Sequence, residues 1–215
     1  MIRELFGHPF SSYTWKALIA LYEAGTPFEF RNVAGDQYPE NEAALRGHWP
    51  VGKFPLLVED GVPIVESSII VEHVAPDLVP SGRDVAQEVR MLDRIFDNHV
   101  MSPTQAIVAE HIPFITKTPD EARIARARAA IDQIYPWLDA RLAGRAWAAG
   151  DAFTLADCAA APSLFYADWV QPIPDELATL KAYRSRALAR PSVARAIDEA
   201  RPYRHLFPLG APDRD

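Results

Sequence analysis

The spacing of apolar and polar positions predicts two strands separated by a helix at the start of the chain. Residues 2–6 (IRELF) and 27–33 (PFEFRNV) have the composition and alternation of short strands. Between them, residues 11–24 place apolar side chains at helical spacing, and Gly25 ends the pattern. A strand–helix–strand order predicts that the two strands run parallel in one sheet.

The next segment predicts a hairpin between two helices. Residues 39–47 favour a short, irregular helix. Residues 56–66 hold two apolar runs around Asp60-Gly61, a pair that is typical of tight β-turns. Ser67 then begins another helix. The order β-α-β followed by β-β-α predicts a thioredoxin-like α/β domain with a mixed sheet.

The rest of the chain carries only helical patterns. They run over about 85–111, 119–143, 154–169, 175–189 and 191–201. The segment before them contains Pro80 and Gly82, which are typical of a linker. We therefore expect a thioredoxin-like domain over residues 1–78, a linker over 79–86 and an all-α domain over 87–215.

Composition and charge exclude several classes of protein. The chain has 215 residues, of which 49% are hydrophobic, and a net charge of -7. Nucleic-acid binding requires a basic stripe, so we expect no nucleic-acid partner. No apolar run approaches the roughly 18 residues of a membrane span, so no membrane partner is expected either. An anionic ligand would need local help from a helix N-terminus or a lysine.

Cysteine and histidine usage bears on the compartment and on metals. The single cysteine, Cys158, excludes an internal disulfide and a CxxC redox pair. The first residues carry charge and lack the apolar core of a signal peptide, so we expect a cytoplasmic protein. The six histidines show no metal-ligand spacing, and no metal is expected.

Two motifs could bind the backbone and the head group of a peptide. Pro55 either simply begins the third strand, or follows a cis bond that exposes the N–H and C=O of Phe54 to an extended peptide. Glu66-Ser67 either caps a helix, or combines a carboxylate-binding helix N-terminus with an acid that pairs with an ammonium group. A carboxylate and an ammonium on one carbon form an amino-acid head group.

A third motif, Ser11-Ser12-Tyr13, lies at the first strand-to-helix turn. These residues either cap and pack the helix, or place a hydroxyl where it can donate to a bound thiolate. Hydrogen bonds to charged groups contribute roughly 1.5–3 kcal/mol, and each pKa unit corresponds to about 1.36 kcal/mol. One such bond could therefore lower the pKa of a thiol by about one to two, from its ordinary value near 8.5.

Together, in this order, the three motifs resemble those of the cytosolic glutathione transferase family. That family has a hydroxyl residue after the first strand, a cis-proline before the third and a Glu/Asp-Ser pair at the third helix. The Ser-Ser stretch is similar to the serine-type zeta and theta-like classes, and Lys53-x-Pro with Glu66-Ser67 resembles the tau class, in a bacterial-style chain. Residues 150–157 (GDAFTLAD) resemble the helix-capping motif of the family's second domain.

The resemblance implies roles for named residues. Ser11 would be the thiolate-stabilising hydroxyl. Ser12 and Tyr13 remain alternatives, because Tyr13 stands where serine-type relatives often carry a smaller residue or a cysteine. Phe54 would pair with the cysteinyl part of glutathione, Glu66 and Ser67 would hold the γ-glutamyl head, and a lysine would bind the glycine carboxylate. The full set of expected binding residues is Lys53, Phe54, Pro55, Glu66, Ser67 and His48, with Trp49 as the alternative to His48.

The function implied is transfer of glutathione to a small apolar electrophile, with glutathione as co-substrate and a homodimer as the assembly. Isomerisation, dehalogenation or peroxide reduction on the same fold are alternatives, as is a non-catalytic binding or scaffold protein. A set of aromatic and histidine side chains either lines the electrophile pocket or packs the core. Its members are Phe96, His99, Phe114, Phe165, Tyr166 and Trp169.

Overall fold

A computed structural model describes residues 2–215, apart from the side chain of Asp36. The first part of the chain forms a four-stranded sheet with the order β2-β1-β3-β4. Its strands are β1 (Arg3–Gly7), β2 (Glu29–Asn32), β3 (Leu56–Glu59) and β4 (Val62–Val65). β1 and β2 pair in parallel, which confirms the prediction, and β3 is antiparallel to both of its neighbours.

Three helices accompany the sheet and complete the thioredoxin-like order. They are α1 (Ser12–Glu23), α2 (Pro39–His48) and α3 (Ser67–Val74). The predicted hairpin joins β3 to β4 through Asp60 and Gly61, whose φ angles are 47° and 83°. Positive φ at both positions is the conformation of a type I′ turn, which matches the twist of the two strands.

The second part of the chain is built from helices. They are α4 (Arg83–Ile95), α5 (Ser102–Glu110), α6 (Glu121–Leu142), α7 (Leu155–Val170), α8 (Ala178–Leu188) and α9 (Pro191–Ala200). A π-helical segment, Phe96–Met101, separates α4 from α5, within the span where one continuous helix was predicted. α4 begins at Arg83, inside the segment expected to be a linker.

Helix α1 connects the two parts of the chain, because it packs against both α3 and α7. Its Trp15 is buried, with ring centroids 4.9 Å from Phe165 and 5.1 Å from Tyr166 of α7. The indole nitrogen donates to the carbonyl of Pro9 at 2.7 Å. Because the Trp15 ring is packed and its N–H is hydrogen-bonded, this residue fixes both α1 and the turn before it.

The predicted capping motif is present at the start of α7. Thr154 and Asp157 form a reciprocal capping box. The Asp157 carboxylate also accepts from the backbone N–H of Ala148 at 2.8 Å and from the hydroxyl of Tyr183 at 2.6 Å. This buried carboxylate therefore ties α8 and the loop before α7 to the first turn of α7.

Candidate functional site

The register of the sheet brings three separate chain segments to one edge. Phe6 of β1 pairs with Leu56 of β3, and Leu56 pairs with Val65 of β4. The residues just beyond these pairs are therefore neighbours in space. They belong to the turn between β1 and α1, to the segment before β3 and to the start of α3. All three predicted motifs lie in these segments.

The segment before β3 exposes the side chain of Phe54. The Phe54–Pro55 peptide bond is cis, as the resemblance implies. Pro55 is buried, whereas Phe54 is 37% exposed. The Phe54 ring stacks on the imidazole of His8, with centroids 6.1 Å apart and ring planes at 23°. Phe54 is thereby held against the turn between β1 and α1.

Lys53 and His48 flank this segment on the side of α2. Gly52 has a φ of 68°, and a Cβ there would lie 2.6 Å from a guanidinium nitrogen of Arg46. The Arg46 side chain could move aside, so it is the positive φ that favours glycine in the turn that presents Lys53. Lys53 is exposed, and His48 ends α2 with its ring centroid 6.3 Å from that of Phe6.

Glu66 and Ser67 form the start of α3. Glu66 has φ 70° and ψ 117°, a conformation that costs a non-glycine residue about 1–3 kcal/mol. Its side chain is exposed. Ser67 is buried at the first helical position, where the backbone N–H groups of the first turn have no partner within the helix. An acid beside free N–H groups suits a zwitterionic head group.

Ser11 and Ser12 occupy different environments in the turn. The Ser11 Oγ accepts from the backbone N–H of Thr14 at 3.3 Å, which makes Ser11 the N-cap of α1. Capping uses an oxygen lone pair, so the hydroxyl hydrogen of Ser11 stays available to a ligand. Ser12 is buried, one helical turn before Lys16. Lys16 in turn contacts Ser68 of α3.

The hydroxyl of Tyr13 lies among residues of the helical part. Burial, reinforced by the charge of Asp97, raises the pKa of Tyr13 to about 12, against opposing effects of a hydrogen bond with Ser102 and of Arg94. The hydroxyl therefore stays protonated at neutral pH. Of the three candidate hydroxyls, that of Tyr13 is the one paired with the helical part.

A buried ionic cluster behind the turn was not predicted. Lys16 is 1% exposed, and its ammonium contacts Asp93, Asp97 and Ser68, the last two at 2.8 Å. Arg94 also contacts both aspartates. Burial raises the pKa of Asp97, although the Lys16 charge opposes this effect. Lys16, which stands between Trp15 and the apolar run of residues 17–21, is the sequence signal for this cluster.

The predicted aromatic and histidine set divides between core and surface. Phe96, Phe165 and Tyr166 are buried, so their role is packing. Phe114 is 89% exposed in the segment between α5 and α6. Trp169 is half-buried, and its ring centroid lies 6.1 Å from that of Phe10, the residue before Ser11.

Potential metal ligands, helix lengths and the single cysteine bear on the ligand class. Within residues 2–215, no group of three or more histidine, cysteine, aspartate or glutamate side chains is arranged to hold a metal ion. Over the same described residues, no helix has the length and apolar character needed to cross a bilayer. Cys158 is a buried free thiol, and burial raises its pKa well above the ordinary value. Such a thiol is not a nucleophile at neutral pH.

Comparisons with known proteins match both parts of the chain. Residues 5–77 match the family of glutathione S-transferase N-terminal domains, and residues 97–191 match that of glutathione S-transferase C-terminal domains. Glutathione S-transferase F6 of Arabidopsis thaliana is 26% identical over 208 residues, which cover 90% of this chain and 98% of that protein.

Two further matches are a relative named for its localisation and a solved glutathione S-transferase structure. FtsZ-localized protein A of Caulobacter vibrioides is 29% identical over 205 residues, which cover 88% of each chain. A crystal structure of a glutathione S-transferase from Methylobacillus flagellatus with GSH bound has a TM-score of 0.78 and 23% identity. It covers 90% of this chain and 98% of that chain, so the two share a fold. None of these matches distinguishes the zeta, theta-like and tau classes.

Proposed function

The chain belongs to the glutathione S-transferase family, and on that premise we propose that it is an enzyme that joins the sulfur of glutathione to small apolar electrophiles. The proposal rests on one observation: the backbone of Glu66 has a positive φ directly beside the N-terminus of α3. A packed helix start gains nothing from such a conformation. The conformation is useful in a binding site, because it directs a carboxylate and free backbone N–H groups toward the same head group.

Glutathione would lie along the sheet edge in an extended conformation. Its γ-glutamyl carboxylate would accept from the first turn of α3 at Ser67, and its ammonium would pair with Glu66. Its cysteinyl backbone would pair with Phe54, which precedes the first ladder pair of β3. Lys53 would hold the glycine carboxylate, with His48 assisting. This direction brings the sulfur to the turn that contains Ser11.

The proposed chemistry is a displacement by the thiolate. The glutathione thiol loses its proton to solvent, and the Ser11 hydroxyl donates a hydrogen bond to the resulting anion. The sulfur then forms a bond to an electrophilic carbon, and a leaving group departs with the electron pair of the bond that breaks. One donor lowers the thiol pKa by about one to two, and the positive end of α1 lowers it further.

The test is turnover of a chromogenic aryl halide with glutathione. We expect Ser11→Ala to lower kcat/KM by roughly 10- to 100-fold, which is the loss of one hydrogen bond to an anion. Ser12→Ala and Tyr13→Phe report on the competing hydroxyls, and Ser81→Ala, in the exposed segment before α4, is the control. Retention of full rate by the Ser11, Ser12 and Tyr13 variants together would refute the hydroxyl mechanism.

The alternative is a protein that keeps the fold as a binding module without turnover. The similarity to FtsZ-localized protein A, whose name describes localisation and not catalysis, favours it. The two functions separate by calorimetry with glutathione. Binding that weakens in Glu66→Gln, together with turnover of the aryl halide, supports the enzyme. No binding at millimolar glutathione, or binding without turnover, supports the non-catalytic module.

We also propose that the protein is a homodimer of the cytoplasm. Apolar side chains are exposed on β4, α3 and α4, namely Val62, Ile69, Val85 and Met91. α3 and α4 lie side by side, joined by a bidentate Arg90–Glu72 pair. A second copy of the chain would cover these side chains. Light scattering should give a dimer that Ile69→Glu dissociates and that Ile2→Glu, at another exposed position, leaves intact.

A further inference from the structure

His8 lies in the turn between β1 and α1, and both its backbone and its ring are used there. Its carbonyl accepts from the backbone N–H of Ser11 at 3.0 Å. Its Nδ1 lies 3.0 Å from the backbone nitrogen of Phe10. His8 therefore braces the residues that lead directly into the first turn of α1.

The brace determines which ring nitrogen carries the proton. A backbone N–H can only donate, so Nδ1 must offer a lone pair to Phe10. The proton of the neutral imidazole is then on Nε2. Burial lowers the pKa of His8, which favours this neutral form. The neutral ring therefore offers Nε2–H as its donor.

The surroundings of the ring place the imidazole at the edge of the candidate site. One face of the imidazole stacks on Phe54, with centroids 6.1 Å apart. Tyr203 approaches with its ring centroid 6.5 Å away and its plane at 63°. Phe54 would hold the cysteinyl part of glutathione, and Ser11 would face its sulfur. His8 contacts both of these residues.

We propose that His8 is a second donor to the glutathione sulfur, with its Nε2–H bonding to the thiolate beside the hydroxyl of Ser11. This inference rests on the proposed function, because it requires glutathione bound along the sheet edge. His8 keeps its proton throughout. It lowers the energy of the anion and transfers nothing, so the proton of the thiol still leaves to solvent.

A purely structural role is the competing explanation, and two substitutions separate the roles. In His8→Asn, the amide oxygen replaces Nδ1 as acceptor for Phe10, while the distal donor is lost. In His8→Gln, the longer side chain places an amide N–H near the position of Nε2, while the brace is lost. The two roles therefore predict opposite orders of effect.

The readout is the pKa of the bound glutathione thiol, followed by the ultraviolet absorbance of its thiolate. We expect His8→Asn to raise this pKa by about 1, as loss of one hydrogen bond to an anion requires, and His8→Gln to restore most of it. His73→Asn, at an exposed histidine on α3, is the matched control and should leave it unchanged. The dissociation constant of glutathione, measured by calorimetry on each variant, shows whether the ligand still binds.

Three results overturn the proposal. An unchanged thiol pKa in His8→Asn means that Nε2 does not reach the sulfur. A larger effect of His8→Gln than of His8→Asn means that His8 acts only as a brace. Failure of the wild-type protein to bind glutathione removes the proposed function as well, and is distinguishable because the calorimetric signal itself is then missing.

Discussion

The ammonium of Lys16 lies 2.8 Å from Oδ2 of Asp97, and this ion pair joins α1 to the π-helical segment behind the candidate site. Both side chains are buried. Asp93 contacts the same ammonium, so one cation faces two carboxylates, with Arg94 adding a second cation from the surface side. The cluster couples the helix that carries Ser11 to the helical part of the chain.

Lys16→Met should be strongly destabilising. It removes the buried cation and leaves two buried carboxylates without their main partner, which costs about 3–5 kcal/mol in comparable pairs. The free energy of unfolding from a denaturant titration measures the effect. Lys181→Met is the control, because the Lys181–Asp175 pair is exposed and such pairs contribute about 0–1 kcal/mol. Equal effects of the two substitutions would show that the buried cluster adds no stability.

Glu23 should make stability depend on pH in the acidic range. Burial alone would raise the pKa of Glu23, but hydrogen bonds from Arg190 and Ser192 outweigh it and hold the pKa below its ordinary value of 4.5. A carboxyl whose pKa is lower in the folded state stabilises the fold above its ordinary pKa. That stabilisation is lost as the pH falls through the folded-state pKa.

Glu23→Gln tests this dependence. At neutral pH we expect a loss of roughly 1.5–3 kcal/mol, the value of hydrogen bonds to a charged group. The difference in melting temperature from wild type should shrink as the pH is lowered below about 4.5. Glu40→Gln, at an exposed position, should show no such trend. A difference that stays constant with pH would contradict the assignment.

Because Glu66 has a positive φ, we expect two variants that both remove its carboxylate to differ in stability. Glu66→Gly relieves the positive φ, whereas Glu66→Ala keeps it. We expect the glycine variant to be more stable than the alanine variant by about 1 kcal/mol. Both should bind glutathione more weakly than wild type, by calorimetry. An alanine variant as stable as the glycine variant would mean that the conformation at Glu66 carries no strain.

Asp157 should be among the positions most sensitive to substitution. Its carboxylate accepts from three backbone or side-chain donors in addition to the hydroxyl of Tyr183. Asp157→Asn turns one accepting oxygen into a donor that faces the N–H of Thr154. Each buried group left unpaired costs about 1–3 kcal/mol, so we expect a loss of at least that size in the denaturant titration. The exposed Asp151→Asn should be neutral, and matching losses in both would contradict this account.

The residues themselves determined the elements of the fold. Short contiguous stretches of sequence specify three of these elements, because the elements form from local hydrogen bonds and local burial. They are the turn at Asp60-Gly61, the capping box at Thr154 and helix α1. The three motifs of the candidate site could also be singled out, since each is a short run with its own composition. The structure confirms the parallel pair of β1 and β2, the hairpin at Asp60-Gly61 and the capping box, whereas the helix predicted over 85–111 is divided by the π-helical segment.

Tertiary structure alone decided which side chains meet. The partners of Lys16 lie 52 and 81 positions further along the chain, at Ser68 and Asp97, and no local pattern specifies a contact of that separation. The tautomer of His8 depends on the geometry of its turn, which the packed Trp15 holds in place. The hydroxyl hydrogen of Ser11 can reach a ligand because the cap of α1 uses only the oxygen lone pair. Sequence periodicity reports which face of an element is buried, whereas hydrogen-bond partners across elements are set by how those faces pack.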